Sequence, residues 1–190
     1  MNGTSTRGFA AVVALVVSVT VAACSGGGGG GGGGPTTPPP PVRMITWTGD
    51  GVAGEETLYL EIRDLSNPDE FVLQLRAKQV TDLYGVALDI VFPATRLDFL
   101  EAVEGSFFPG GNGLPTELQV VEEPDGRIII GHSRIGDERG RTGSGVLLEL
   151  SFRTTANGSS LFEIERQQAI DRDGGQLSAQ WLGGTVQVQR

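Results

Sequence analysis

The chain has almost none of the residues on which most enzymes and disulfide-stabilised proteins depend. Its 190 residues include a single cysteine, Cys24, and a single histidine, His132. One cysteine cannot form an intramolecular disulfide, so the folded part must be stabilised by packing. One cysteine and one histidine also cannot supply the nitrogen and sulfur ligands of a zinc site. A Gly-x-Ser-x-Gly nucleophile motif is absent as well.

His132 follows the apolar run Ile128–Ile130, where a packed histidine is favoured over a catalytic one. A hydrolytic triad needs an activated serine and an acid at the histidine. Ser133 is adjacent in sequence, and successive side chains on a strand point to opposite faces. A carboxylate pair could serve a glycosidase, but among 23 acidic residues some pairs are close by chance. We therefore predict no enzyme activity, no metal and no cofactor.

Cations are scarce relative to anions. The chain has 14 Lys and Arg against 23 Asp and Glu, a net charge of −9. This balance argues against nucleic acid as a partner, because neutralising phosphates needs clustered cations. It also argues against electrostatic binding to anionic lipid. A helix–loop–helix calcium site beginning at Asp171 fails, because Leu182 occupies the position of the bidentate glutamate.

The N-terminal segment has the layout of a secretory leader. Arg7 precedes fifteen uncharged residues, Phe9 to Ala23, a run shorter than the roughly 20 residues of a membrane-spanning helix. Its ending, Val21-Ala22-Ala23-Cys24, resembles the lipobox of bacterial lipoproteins. The resemblance implies that residues 1–23 are a signal peptide and that Cys24 becomes a lipid-bearing N-terminus. An ordinary signal peptide that leaves a free thiol is the alternative.

Residues 24–42 predict a disordered tether behind that cysteine. Nine glycines, Gly26–Gly34, and four prolines, Pro38–Pro41, give this segment nothing to bury. Such a tether would hold a domain clear of a membrane. The lipobox resemblance implies a location on the bacterial envelope, facing the surface or the periplasm. Because Ser25 rather than Asp follows the cysteine, it implies the outer membrane where a cell has two.

Residues 43–190 predict one all-β domain with about nine strands. Leu83–Phe92 has a period of two, which turns Tyr84, Val86, Leu88, Ile90 and Phe92 to one side and Gly85, Ala87, Asp89 and Val91 to the other. At most one helical turn is expected, at residues 93–96. The pattern of short strands and glycine-rich turns predicts a β-sandwich of jelly-roll topology. The strands are expected at 58–63, 71–77, 83–92, 97–103, 118–121, 128–130, 146–152, 160–164 and 186–188.

The order of these segments resembles the cohesin domain over Leu58–Val188. Leu83–Pro93 looks like the family's third strand, Gly126–Gly131 like its sixth, and Gly145–Arg153 like its eighth. The resemblance implies a noncatalytic module that binds a dockerin-bearing protein in extracellular polysaccharide degradation. It also implies that the binding face is formed by the family's strands 8, 3, 6 and 5.

On this resemblance, the partner-binding residues are the outward side chains of the third and eighth strands. If Leu88 and Leu150 point inward, alternate neighbours point outward. The apolar ones would form the centre of the interface and the polar ones its surround. The candidates are Ala87, Asp89, Leu147, Glu149, Ser151 and Arg153.

Two other functions fit the same fold. Cohesin sandwiches are close in fold to carbohydrate-binding modules, so the domain could bind a polysaccharide directly, with Trp181 as the stacking residue. The chain could also be a structural envelope lipoprotein whose partner is not a dockerin. The fold alone does not decide among these functions.

Overall fold

The structure is a computed structural model that describes residues 44–64, 67, 69–109, 115–136 and 139–189, with Asp64 described by its backbone only. The predicted signal peptide, Cys24 and the predicted tether lie outside these residues. Within the described ranges the chain forms eleven β-strands and no α-helix. No helix in those ranges is long and apolar enough to cross a membrane.

The strands are numbered in chain order. They are β1 (Met44–Gly49), β2 (Thr57–Asp64), β3 (Glu70–Leu83), β4 (Gly85–Val91), β5 (Leu97–Glu104), β6 (Thr116–Glu123), β7 (Arg127–Arg134), β8 (Arg141–Thr154), β9 (Gly158–Ile170), β10 (Gln180–Leu182) and β11 (Gly184–Gln189).

Two sheets pack face to face as a jelly-roll β-sandwich, which confirms the predicted fold class. The six-stranded sheet has the order β1-β11-β9-β4-β7-β6, and the five-stranded sheet has the order β10-β2-β3-β8-β5. Strands β2 and β10 pair in parallel, and the other pairs of the described residues are antiparallel. The chain leaves one sheet at Leu83 and enters the other at Gly85, so β3 and β4 lie in different sheets.

Each of the nine predicted segments overlaps an observed strand, and most observed strands are longer than predicted. Two strands, β1 and β10, were not predicted. β10 is only three residues long, too short to show an alternating pattern. Residues 93–96 form a single turn, as expected, closed by a hydrogen bond from the Leu97 N–H to the Pro93 carbonyl oxygen at 3.2 Å.

The core lies between the sheets and is rich in phenylalanine. Leu88, Ile90 and Phe92 are buried, as the alternation predicted, and so are Leu148, Leu150 and Phe152 on β8. Packed aromatic rings bury large apolar areas and favour tilted contacts, which hold two sheets in one relative position. The core rings that touch one another are Phe71, Phe92, Phe99, Phe152 and Phe162.

Candidate partner-binding face

The outward surface of β9, β4, β7 and β6 is a continuous face that we call the front face. β4 pairs with β7 on one side and with β9 on the other, and β7 also pairs with β6. Directly opposed residues in a sheet point to the same side. The register therefore places four outward residues in one row across the four strands: Gln119, Gly131, Ala87 and Gln168.

The front face contains a depression of about 240 Å³. Its floor is low because small residues meet there: Gly85 lies opposite Ser133, and Ala87 opposite Gly131. A Cβ atom added at Gly131 would meet no atom within 4 Å. Longer side chains stand around the floor, namely Glu117, Gln119, Gln168 and Ile170. An open hollow with a polar rim is a surface on which a partner's side chain could seat.

A network of charged side chains borders the depression on the front face. Asp89, only 4% exposed, accepts hydrogen bonds from Arg127 on β7, at 2.7 Å, and from Arg166 on β9. Arg127 also donates to Glu165 at 3.0 Å. The hydrogen bond to Asp89, followed by that to Glu165, raises the pKa of Arg127 above its usual value. The two arginines thus compensate the buried carboxylate from both neighbouring strands.

A β-bulge brings Arg166 to Asp89. The pairing of β4 with β9 shifts between Ala87 and Asp89, where β9 has an extra residue. Arg166 has a φ of 46°, in the left-handed region that non-glycine residues seldom occupy. Bulges of this kind redirect a side chain within a strand. The bulge therefore lies between Gln168, which stands beside Ala87 in the depression, and Arg166, which reaches Asp89 in the charged network.

The structure does not bring the six predicted interface residues together, so their predicted placement is wrong. Ala87 is exposed on the floor of the depression, but Asp89 is buried in the network. Glu149, Ser151 and Arg153 lie on β8, which pairs with β3 and β5 in the other sheet. The strands beside β4 are β7 and β9, so Gly145–Arg153 does not lie next to Leu83–Pro93. The predicted neighbours in fact face opposite sides of the sandwich.

Leu147 is wrongly predicted for a second reason, because it is completely buried. In the ladder between β3 and β8, Leu75 opposes Leu148 and Arg76 opposes Val146, which leaves Leu147 as the extra residue of a bulge. Strict alternation placed its side chain outward, and the bulge breaks that alternation. Two consecutive apolar residues, Leu147 and Leu148, were the sequence signal for this irregularity.

The outer surface of β2, β3 and β8, which we call the back face, is closed by its own ion pairs. Glu149 accepts hydrogen bonds from Arg63 and, at 2.8 Å, from Gln74. Arg153 donates to Glu70 at 3.0 Å. These side chains already have partners within the domain, whereas the floor of the front-face depression is bare.

His132 lies inside the sandwich beneath the front face. Its side chain is fully buried, and its Nε2 lies 2.8 Å from Glu104 Oε1. Its ring meets the edge of Phe108 with centroids 4.7 Å apart. Burial lowers the pKa of His132, against the smaller raising effect of Glu104. As predicted for adjacent strand residues, Ser133 points the other way, onto the depression floor.

Trp181 is not part of the front face. It lies on β10 in the five-stranded sheet and is half-buried against the core. Among the described residues that line the depression, none is Phe, Tyr or Trp. The described residues also contain no group of three or more His, Cys, Asp or Glu that could hold a metal. Asp171 caps a turn, where its Oδ1 accepts the N–H groups of Asp173 and Gly175.

Among the residues that shape the depression, Gln168 was not predicted at all, and Gly85 and Gly131 were not among the six predicted interface residues. One signal was present. An isolated glycine within a strand often marks a site where another chain or a ligand approaches closely, and Gly131 interrupts the apolar strand β7.

No protein-family model and no curated protein matches the chain. The fold is similar to solved cohesin structures. A non-cellulosomal cohesin from the hyperthermophilic archaeon Archaeoglobus fulgidus matches with a TM-score of 0.52 and 18% identity, over 69% of this chain and 89% of that one.

Two structures from Acetivibrio cellulolyticus are similar as well. The sixth cohesin of its scaffoldin B, in complex with a mutant Cel5 dockerin, matches with a TM-score of 0.57 and 14% identity, over 70% of this chain and 97% of that one. The second type II cohesin module of an adaptor scaffoldin matches with a TM-score of 0.58 and 10% identity, over 68% and 87%. These similarities show a cohesin-type fold.

Proposed function

We propose that this domain is a noncatalytic recognition module that binds a dockerin-bearing protein through its front face. The observation that carries the proposal is the bare depression between β4, β7 and their neighbours. It is supported by the cohesin-type fold, because one similar cohesin is in complex with a dockerin. The front face also contains β4 and β7, which the resemblance matches to the third and sixth strands, two of the four strands of the family's binding face.

The chemistry of the front face suits a protein partner. The apolar floor at Ala87 would be desolvated by an inserted side chain, and the polar rim at Gln119 and Gln168 would hydrogen-bond around it. Protein interfaces commonly have such an apolar centre and a polar rim. Glu117 would add a carboxylate at the rim, which favours a partner with a cation beside its apolar contact.

We also propose that the domain is held on the bacterial envelope by its N-terminus. Acylation of Cys24 would fix the chain to the bacterial envelope, and the glycine- and proline-rich segment would hold the domain away from the lipid. A single module on an anchor would tether one dockerin-bearing protein, such as an enzyme of extracellular polysaccharide degradation, rather than assemble many.

The test is a titration of the full-length chain with the dockerin modules encoded by the organism that makes it. Gly131→Gln should fill the depression, and its Cβ atom would meet no atom within 4 Å. We expect this variant to weaken binding of the cognate dockerin by about tenfold or more, as at the centre of an interface. Ser151→Gln places the same side chain on the back face and should bind like the wild type.

Two results would contradict the proposal. If no dockerin module binds the wild-type chain, the partner is of another kind. If a dockerin binds the wild type and Gly131→Gln equally well, the front-face depression is not the interface.

A further inference from the structure

Strand β6 forms an open edge of the six-stranded sheet. It pairs with β7 at eight successive positions, from Thr116 opposite Arg134 to Glu123 opposite Arg127, with no shift in register. It contains neither proline nor lysine, and no bulge interrupts it. Natural proteins usually protect a sheet edge with such features, because exposed N–H and C=O groups can pair with another chain.

The direction of the free backbone groups follows from one hydrogen bond. The Ile135 N–H donates to the Pro115 carbonyl oxygen at 3.0 Å, so this opposed pair is hydrogen-bonded. Hydrogen-bonded pairs alternate along an antiparallel ladder. Every second residue of β6 therefore points its N–H and C=O groups away from β7, and within the described residues no other strand pairs with them. These residues are Thr116, Leu118, Val120 and Glu122.

The other sheet edges are less suited to pairing. β10 has only three residues, and β1 has six. β5 has eight residues, but its pairing with β8 shifts between Phe99 and Glu101. A bulge twists an edge and interrupts regular pairing. β6 therefore offers the longest regular edge of the described residues.

The charge of this side of the sandwich indicates what could pair with β6. The strand contains three glutamates, Glu117, Glu122 and Glu123, and no cation. β5, which contacts β6 from the other sheet, also contains three acidic residues and no cation. An antiparallel second copy of β6 centred on Val120 would place Glu117 against Glu123, and opposed like charges destabilise a strand pair. The charges favour a basic segment instead.

The apolar residues of β6 indicate the pattern of that segment. Leu118 and Val120 pack against the core but are only half-buried. Side chains of an added strand would alternate in phase with β6. Apolar residues would then cover Leu118 and Val120, while basic residues would lie beside Glu117 and Glu123 on the front side.

We propose that β6 accepts an extended, basic segment of a partner protein, which adds to the sheet as a further strand. This site uses the backbone groups at the sheet edge and is distinct from the floor of the front-face depression, although Glu117 borders both. Backbone hydrogen bonds would give affinity, and the alternating side chains would give selectivity.

The probe is a capped synthetic peptide that alternates lysine and valine, added to the isotope-labelled full-length chain. We expect the amides of Leu118, Val120 and Glu122 to become protected from hydrogen exchange when it binds. Two control peptides have the same sequence and charge, but one is N-methylated at its lysines and the other at its valines. In each of them the methyl groups block backbone hydrogen bonds along one edge of the peptide strand. At least one of them should lose binding.

The variant Val120→Pro removes an N–H that points away from β7, so the native ladder keeps its hydrogen bonds. We expect it to weaken peptide binding by about tenfold, the effect of losing one or two backbone hydrogen bonds. Val120→Thr keeps the N–H and should bind within about twofold of the wild type, the range of a surface substitution.

Three results would overturn the proposal. Absence of amide protection in the wild-type chain would show that no strand is added. Equal binding of all N-methylated peptides would show attraction by charge alone. A concentration-dependent dimer that Val120→Pro abolishes would show that a second copy occupies the edge.

Discussion

Phe92 and Phe152 meet edge to face across the sandwich, with ring centroids 5.1 Å apart and ring planes at 73°. Phe92 directly follows β4 in the six-stranded sheet, and Phe152 belongs to β8 in the five-stranded sheet. Because both rings point inward, alternation turns Ala87 outward on one face and Ser151 outward on the opposite face. The inward direction of these two rings therefore fixes which residues of β4 point to the front face and which residues of β8 point to the back face.

Truncation of this contact should destabilise the domain. Phe152 is fully buried and touches four other phenylalanine rings. We expect Phe152→Ala to lower the free energy of unfolding by about 3–5 kcal/mol, measured by urea denaturation. The neighbouring outward substitution Ser151→Ala should change it by less than about 0.5 kcal/mol. If the two substitutions lower the free energy of unfolding by similar amounts, Phe152 does not point into the core as described.

His132 should make stability depend on pH. Its pKa in the folded chain is lowered from 6.5, mainly by burial, so below pH 6.5 the unfolded chain binds a proton more readily. The stabilisation is complete above pH 6.5 and is lost as the pH falls from there toward the folded pKa. His132→Gln keeps a donor for Glu104 but does not titrate. Between about pH 7.5 and about pH 5.5, wild-type stability should fall more than that of the variant.

That comparison removes the contribution of the carboxylates, which are the same in both proteins. If the two free energies of unfolding change in parallel over this pH range, His132 does not carry a lowered pKa.

The Asp89 network should contribute moderately to stability. Asp89→Asn removes the charge that Arg127 and Arg166 share, and hydrogen bonds to charged groups are worth about 1.5–3 kcal/mol. Because Arg166 remains well exposed to solvent, we expect a smaller loss, about 1–2 kcal/mol, in urea denaturation. Glu163→Gln, an exposed change on β9 with no ion pair among the described residues, serves as the control. If Asp89→Asn lowers the free energy of unfolding no more than Glu163→Gln does, the network does not stabilise the domain.

The proposed anchor rests on Cys24. Replacement by serine removes the thiol that would receive the lipid, so Cys24→Ser should stay unprocessed and take up no labelled fatty acid. The wild-type chain should incorporate the label and fractionate with the envelope. Equal incorporation of fatty acid by both proteins would exclude acylation at this cysteine.

The inward residues of the core could be predicted because strand alternation is a local property of sequence. Leu88 and Ile90 alternate with Ala87 and Asp89, and burial follows that pattern except at Asp89. Asp89 is buried because Arg127 and Arg166 reach it from neighbouring strands. Such long-range contacts leave no mark in the local sequence.

Strand neighbours could not be predicted in the same way. An alternating segment such as Val146–Phe152 fits beside β4 as well as beside β3, because the period of two is the same in both places. The choice depends on the path of the chain between the sheets. Bulges at Leu147 and Arg166 add a residue to one strand only, so the outward row on β9 also could not be read from alternation.

The most direct test of the front face is a cross-saturation NMR measurement on the complex of the full-length chain with its cognate dockerin module. The chain is deuterated and nitrogen-labelled, and the protons of the dockerin are irradiated. We expect signal loss at the amides of Ala87, Gly131, Gln119 and Gln168, with Glu149 and Ser151 unaffected. Signal loss at Glu149 and Ser151, with the depression unaffected, would contradict the proposed interface.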